Sequence, residues 1–408
     1  MDDIETKTPT GAPPVAEEGP TLSEQPGKRR KRRLHLGRWL VRSLLVLCFL
    51  AGFYFSVFPS GRALTRSLLI LPGLLSASQP SWQAPVTEPV KHTEKTIASN
   101  AGTVYIDVYE PNESVPPVPG AREGIVVIPG VGDERHEPQL INFYETLAHA
   151  GIVVMGMTTP TLMSYQLDAG DQEAVVAAFR ELQHWPGVGP ERLGMLAFSG
   201  GGPLICFAAA DPRIRDDVSF VTLFGSYYDT TSLLTDIGRR SLNVDGASQA
   251  WKPVNVPLQV LSNTMARYLP GNDGTVIANS FAHSSDGTLT PAQVARLAPE
   301  SAAAYHLLAG DQPDRVEANI AALSPAIKAQ LASLSATRVV DQLHAPVYLL
   351  HDRSDPYVPF TETREFAAAL ARIHHPYDLA EFGIFQHVEV RLDLGLKQIL
   401  GDGTTLLR

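Results

Sequence analysis

The chain has 408 residues, 44% of them hydrophobic and 19% charged, which is the composition of a globular protein and not of a disordered one. The formal net charge is −10, and the one dense basic cluster lies near the N-terminus, so the rest of the chain is more acidic still. We therefore expect no nucleic-acid partner, which would require a basic face on the folded part. The two cysteines, Cys48 and Cys206, are too few for a disulfide framework and have no metal-binding spacing.

The N-terminal region is expected to consist of a tail, an anchor and a linker. Residues 1–37 are rich in Pro, Glu and Thr and include the basic run 28–33, which predicts a disordered cytoplasmic tail with a basic cluster. Residues 38–58 contain an apolar run that only Arg42 interrupts and that is about long enough to cross a bilayer. Residues 59–89 predict a membrane-proximal linker, rich in Pro and Ser toward its end.

The basic cluster also predicts the orientation of this anchor. Positive charge marks the cytoplasmic side, so we expect a single-pass membrane protein with a cytoplasmic N-terminus and an extracytoplasmic body at residues 90–408. Arg62 and Arg66, beyond the span, weaken this orientation. A cleaved signal peptide is the alternative, but the long preceding tail and the lack of a clear cleavage site after Phe58 favour an uncleaved signal-anchor.

Strands and helices alternate through the body of the chain. Short apolar or alternating runs predict strands at 103–109, 124–128, 151–156, 193–198, 218–224, 347–350 and 377–382. Helical patterns between them predict helices at 139–150, 171–185 and 203–210. This rhythm indicates an α/β fold whose mostly parallel sheet is covered by helices on both faces.

The strand that ends at Phe198 runs directly into Ser199, three glycines and an apolar helix. A nucleophile on such a strand–turn–helix needs small residues two positions to either side, because the backbone folds tightly there. Ala197 and Gly201 meet this requirement. The turn would lift the Ser199 hydroxyl to the positive end of a helix. A glycine-rich turn that binds a phosphate is the alternative interpretation.

With these residues the stretch from about Thr103 to His387 resembles the α/β-hydrolase superfamily, in particular its dienelactone-hydrolase-like and related serine esterase members. In that family the catalytic triad follows the order Ser, acid, His along the chain. The resemblance implies Asp355, which lies in a loop after a strand and is followed closely by Pro, as the acid. Asp352 is expected to shape the turn, and Asp229, after the sixth strand, is the alternative acid.

The same resemblance implies the remaining catalytic groups. His387 follows the last predicted strand, where the family places its catalytic histidine. The backbone N–H groups of Gly200 and Val131 are implied as the oxyanion hole, although Pro129 stands where the family usually has His. A cap insertion is expected at about 227–345, with predicted helices at 301–308, 316–323 and 325–334.

The expected function is therefore that of a membrane-anchored serine hydrolase, a carboxylic ester hydrolase that forms an acyl-enzyme on Ser199. Its partner would be a small-molecule ester or acyl substrate, and neither a metal nor an organic cofactor is expected. An acyltransferase or a serine peptidase would use the same triad, the peptidase with less support because no peptide-gating domain is evident in the sequence. A catalytically inactive hydrolase fold that serves as a binding protein is the alternative from a different class.

Overall fold

The computed structural model describes residues 42–50, 52–54, 58, 89–112, 122–383, 385–387 and 389–390. The strands are β1 (Val90–Ser99), β2 (Gly102–Pro111), β3 (Arg122–Ile128), β4 (Ile152–Thr158), β5 (Val188–Phe198), β6 (Val218–Phe224), β7 (Ser241–Val244), β8 (Ala247–Ala250), β9 (Val347–Asp352), β10 (Tyr377–Phe382), β11 (Phe385–Gln386) and β12 (Glu389–Val390). The helices are α1 (Pro138–His149), α2 (Pro160–Met163), α3 (Gln172–Gln183), α4 (Gly202–Ala209), α5 (Thr230–Arg239), α6 (Asn255–Ala266), α7 (Asp273–Phe281), α8 (Pro291–Val294), α9 (Pro299–Ala309), α10 (Val316–Ala322), α11 (Pro325–Ser333) and α12 (Phe360–Arg372).

An eight-stranded sheet in the order β1–β2–β4–β3–β5–β6–β9–β10 organises the molecule. The β1–β2 and β2–β4 pairs are antiparallel, whereas every pair from β4 to β10 is parallel. The prediction of an α/β fold with a mostly parallel sheet is confirmed, and the architecture fits the α/β-hydrolase fold. Parallel strands end at the same edge of a sheet, so the loops after β5, β9 and β10 are brought to one side of the molecule.

The central strands are buried on both faces. Successive residues of β3 face opposite sides: Val127 packs with Tyr144 of α1, whereas Val126 belongs to a cluster with Phe179 of α3 and Leu204 of α4. Each large apolar side chain buried in this way contributes about 1.5–3 kcal/mol relative to leaving it exposed. The two apolar layers therefore hold the central strands, and the loop after β5, in a rigid position.

Between β6 and β9 the chain leaves the sheet and forms helices α5–α11 and the β7–β8 hairpin. The helices that the sequence predicted in this insertion are present as α9, α10 and α11. Proline occupies the first helical positions of α9 and α11, where its missing N–H costs nothing and its fixed φ suits a helix start. Helix α6 lies over Ser199, the residue that follows β5.

The N-terminal part is described only in pieces. Residues 42–50 and 52–54 are helical, and apolar side chains such as Leu45 and Phe49 are exposed on them. Among the described residues, no helix combines the length and the apolar character needed to cross a membrane. The predicted tail (1–37) and most of the predicted linker (59–89) lie outside the described residues. The membrane anchor over 38–58 is thus without support from the structure and stays a prediction.

Candidate active site

Ser199 lies on a strained turn between β5 and α4. Its φ is +52°, in the left-handed region that costs a residue with a side chain about 1–2 kcal/mol. The following glycines are required by packing, since a Cβ on Gly201 would lie 2.6 Å from Ile128 Cγ2 and one on Gly202 would overlap the Ser226 hydroxyl. Strain of this kind persists where the surrounding structure enforces it, and it is concentrated at functional sites.

The loop after β3 lies beside this turn. Gly130 has a φ of +120°, which would strain a residue with a side chain, and a Cβ there would lie in ordinary contact with Ser199 Cβ at 3.6 Å. Val131 and Gly200 are neighbours, because a Cβ on Gly200 would lie 3.3 Å from Val131 Cγ1. The Gly132 N–H donates to Leu162 O at 2.9 Å and fixes the loop. The two residues predicted for the oxyanion hole thus flank the nucleophile candidate.

The loops after β9 and β10 bring together an acid and a histidine. His387 Nδ1 lies 2.6 Å from Asp355 Oδ2, and the two residues are only 6% and 2% exposed. Asp229, the alternative acid, is not hydrogen-bonded to the histidine; it caps α5 by accepting the N–H groups of Thr231 and Ser232 at 2.7 and 3.0 Å. Of the two candidates, Asp355 is the one in contact with His387.

Asp355 is held as a carboxylate by a dense set of donors. Its Oδ1 accepts the N–H groups of Tyr357 at 2.7 Å and Val358 at 3.0 Å. Burial would raise the pKa of Asp355, but the charge of His387 and the hydrogen bonds from His351 and His387 outweigh burial and hold that pKa well below its usual range. An ionised acceptor requires Nδ1 of His387 to carry the proton, which leaves the lone pair on Nε2 available as a base.

A second buried histidine, His351, supports the acid, and the sequence analysis did not identify it. Its Nε2 donates to Val358 O at 3.0 Å and lies 3.3 Å from Asp355 Oδ2, while its Nδ1 contacts Thr363 Oγ1. His351 is fully buried in β9, four residues before the acid. A histidine at the end of a buried strand that leads into an acid loop was the signal available in the sequence.

Two further residues position the His387 loop. Asp352 accepts the Ser354 N–H at 2.7 Å and the Phe385 N–H at 2.8 Å, so it shapes the acid turn and also ties the histidine loop to it. The Tyr357 ring stacks on His387, with ring centroids 4.5 Å apart and an interplanar angle of 19°. These contacts fix the imidazole plane. Neither the stacking ring nor the second function of Asp352 could be read from local sequence.

Ser199 opens into a small cavity of about 30 Å³. Its walls are formed by Val131, Leu167, Ser199, Gly200, Tyr227, Leu233, Val256, Pro257, Val260, Leu261, Tyr357 and Val358. Within the described part of the chain Ser199 Oγ has no hydrogen-bond partner. Contacts between nucleophile and base are often long in ligand-free enzymes and tighten only when substrate is bound.

One group of potential metal ligands occurs elsewhere in the described part of the chain. His92, Glu94 and Asp107 place one ligand atom each within 4.8 Å of one another, and His92 Nε2 lies 3.0 Å from Asp107 Oδ1. They lie on β1 and β2 at one edge of the sheet, not on the strands that lead to Ser199 or His387. The candidate hydrolytic site therefore does not include them.

Neither a protein-family model nor a curated protein matches the chain. Among solved structures, Porphyromonas gingivalis dipeptidyl peptidase 4 overlays 79% of this chain on 35% of its own, with 12% identity and a TM-score of 0.45. A Mycobacterium tuberculosis puromycin-hydrolyzing peptidase overlays 79% of this chain on 38% of its own, with 18% identity and a TM-score of 0.43. A 2,6-dihydroxy-pseudo-oxynicotine hydrolase overlays 73% of this chain on 62% of its own, with 12% identity and a TM-score of 0.43.

In each of these comparisons the chain spans less than two thirds of the other protein's length. Identities of at most 18% with TM-scores below 0.5 assign no activity to the chain. The finer resemblance to dienelactone hydrolases stays a prediction from the sequence. What the chain itself shows is the strand topology and the position of Ser199, Asp355 and His387 just after the carboxyl ends of β5, β9 and β10.

Proposed function

We propose that the protein is a serine hydrolase in which Ser199 is the nucleophile, His387 the general base and Asp355 the acid that orients it. The observation that carries this proposal is the buried 2.6 Å hydrogen bond between His387 Nδ1 and Asp355 Oδ2. A buried pair of this kind often adds no more stability than an apolar pair of similar volume, so its presence at the carboxyl ends of the strands that also present a strained serine favours a catalytic role.

The chemistry follows from these roles. His387 Nε2 takes the proton from Ser199 Oγ as the oxygen attacks the carbonyl carbon of the substrate. The developing oxyanion accepts the N–H groups of Val131 and Gly200. The imidazolium, stabilised by Asp355, then returns its proton to the leaving group, and an acyl-enzyme remains on Ser199. Water deacylates the enzyme by the same route in reverse.

We propose a carboxylic ester as the bond that is cleaved, with a peptide bond as the second candidate. Two of the overlaid proteins are peptidases, which agrees with the peptidase alternative and not with the ester interpretation. Overlays with TM-scores under 0.5 do not decide between the two. The triad chemistry is common to both, so the bond type is a matter for direct assay.

The proposal is tested by steady-state hydrolysis of p-nitrophenyl acetate with the full-length chain, beside Ser199→Ala and His387→Ala. Each substitution is expected to lower kcat about a million-fold, toward the level set by the oxyanion hole and binding, as when either residue of such a triad is removed. A folded wild-type protein without turnover, and without reaction with a fluorophosphonate, would favour the binding-protein alternative. Parallel assays with N-blocked and free peptide p-nitroanilides report on the peptidase alternative.

A further inference from the structure

The cavity beside Ser199 is lined by uncharged side chains. Of the described residues that line it, none has a charged side chain. The Tyr227 hydroxyl, on one wall, donates to Leu334 O at 3.1 Å and so has its partner within the protein. Tyr357 turns one ring face against His387. A bound group would therefore meet mainly carbon atoms.

Helix α6 supplies one wall of this cavity. Val256 and Val260 are four residues apart, so they lie on the same face of the helix, with Pro257 and Leu261 beside them. Val260 and Leu261 are 5% and 2% exposed, whereas Val256, near the start of the helix, is only partly buried. This face of α6 is the part of the cavity wall that belongs to the insertion and not to the sheet edge.

The helix is fastened at both ends to loops of the site. Ahead of its first turn, Val254 N–H donates to Pro356 O at 2.9 Å, which ties it to the acid loop. Near its end, Thr264 Oγ1 accepts the N–H of Leu167, a wall residue, at 3.1 Å. Helix α6 thus bridges the cavity from the acid loop to the loop after α2.

The cavity is too small for a substrate in this conformation. Its volume of about 30 Å³ leaves room for no more than a few water molecules. Sites for small organic ligands have volumes of about 300–1,000 Å³. We therefore expect the α6 wall to move outward, or its side chains to rearrange, when an acyl group enters, and the side chains on that wall then contact the acyl group.

An uncharged wall of this kind disfavours substrate groups that carry a charge. An ammonium group that enters loses its hydration, and no carboxylate on the wall replaces it. A neutral alkyl or aryl group instead gains about fourfold in binding for each methylene that it removes from water. A peptide with a free N-terminus near the scissile bond is therefore disfavoured, whereas an N-blocked or simple acyl group is accepted.

We propose that helix α6, through Val256 and Val260, selects substrates with a neutral, apolar acyl group. This inference rests on the proposed serine hydrolase activity. It concerns the acyl side of the scissile bond only, because the leaving group departs toward His387, and it therefore holds for esters and amides alike.

The first test compares the p-nitrophenyl esters of N-acetylalanine and of free alanine, in which acetylation removes the ammonium charge, together with straight-chain esters of increasing length, which measure the effect of acyl size. We expect kcat/KM to be at least about tenfold higher for the blocked alanine ester and to rise about fourfold per methylene until the cavity is full. Equal values for the blocked and free esters, or no rise with chain length, would overturn the inference.

The second test places a carboxylate on the wall. Val256→Asp should reduce the ratio of kcat/KM between the blocked and free alanine esters at least about tenfold, because the new carboxylate pairs with the ammonium group and loses its hydration when an alkyl group covers it. The position near the helix start favours an acidic residue. Gln259→Asp, which adds the same charge to α6 away from the cavity wall, should leave the preference as in the wild type.

Fluorophosphonate labelling of the wild type and of each variant distinguishes failure of the proposed hydrolase function from failure of the proposed role of α6. A wild type that does not label overturns the proposed function and with it this inference. If the wild type labels but Val256→Asp and Gln259→Asp show the same preference between the blocked and free alanine esters, only the role of α6 is overturned. If Val256→Asp does not fold, Val256→Ala is compared with wild type: it should shift the preferred acyl chain to a greater length, and an unchanged preference would contradict the inference.

Discussion

The two halves of the candidate triad are built by different means. Ser199 is placed by backbone geometry, namely a left-handed φ and glycines that packing requires. Asp355 and His387 are placed by polar contacts, because the acid accepts two backbone N–H groups and the imidazole, with His351 close by. The comparison teaches that the nucleophile depends on a short stretch of sequence, whereas the base depends on contacts between residues far apart in the chain.

After removal of Ser199 or His387 themselves, the largest effect is expected from breaking the polar half at the acid. Asp355→Asn leaves the shape intact but gives the imidazole the wrong tautomer, and we expect kcat to fall about ten-thousandfold. Asp229→Asn is the matched control, since asparagine caps a helix as well as aspartate does and kcat should stay near wild type. Steady-state kinetics on one p-nitrophenyl ester measures both. The reverse pattern would mean that Asp229 is the acid.

A methyl group next to the base should disrupt the same half sterically. Gly225 has a φ of +59°, and a Cβ there would lie 2.9 Å from His387 Nδ1. We expect Gly225→Ala to lower both the free energy of unfolding and kcat, the latter at least about tenfold through the displaced imidazole. Gly246→Ala, at φ +86° with nothing within 4 Å of the added Cβ, should cost only about 1–2 kcal/mol of stability and no activity. Equal activity losses in the two variants would refute a specific clash with His387.

Removal of His351 tests whether this residue contributes to catalysis through Asp355 or only to the stability of the fold. In His351→Ala the buried carbonyl of Val358 loses its donor, so denaturant unfolding should show a loss of about 1–3 kcal/mol. Because His351 also lowers the pKa of Asp355, kcat should fall while KM stays near wild type. His351→Gln, whose amide can donate to the same carbonyl, should recover part of the stability. An Ala variant with unchanged kcat would limit His351 to a structural role.

The last prediction concerns stability and not activity, and it involves the buried carboxyl that holds the loop after β6. Glu362 Oε2 accepts the N–H groups of Tyr228 and Asp229 at 2.9 and 2.8 Å, and burial raises the pKa of Glu362 to about 8, although these two hydrogen bonds act to lower it. The folded state therefore holds a proton that the unfolded chain releases near pH 4.5.

The stability that Glu362 contributes should thus be complete below about pH 4.5 and be lost as the pH rises toward about 8, by at most about 1.4 kcal/mol per pH unit. Glu362→Gln stays neutral and should remove this slope. Urea unfolding of both proteins, in a series of about six buffers between pH 5 and 8, measures how the free energy of unfolding of each depends on pH. Parallel curves for the two proteins would show that Glu362 is ionised when folded.

The sequence was informative where function depends on neighbours in the chain. The β-α-β rhythm predicted the mostly parallel sheet, and the small residues around Ser199 predicted a tight turn. It could not decide between Asp229 and Asp355, because that choice depends on which loop meets His387 in space. His351 and the Tyr357 stack were missed for the same reason. The seating of α6 on the cavity is likewise a matter of tertiary packing, which no local pattern in the insertion encodes.

The most direct test of the account is to locate a covalent adduct on the chain. The full-length protein is treated with a fluorophosphonate, digested and analysed by peptide mass spectrometry, beside Asp355→Asn and Asp229→Asn. The account predicts a single adduct on Ser199, formed rapidly in wild type and in Asp229→Asn and much more slowly in Asp355→Asn. An adduct on another residue, or equal labelling rates in all three proteins, would contradict the assignment of Ser199, His387 and Asp355 as one catalytic unit.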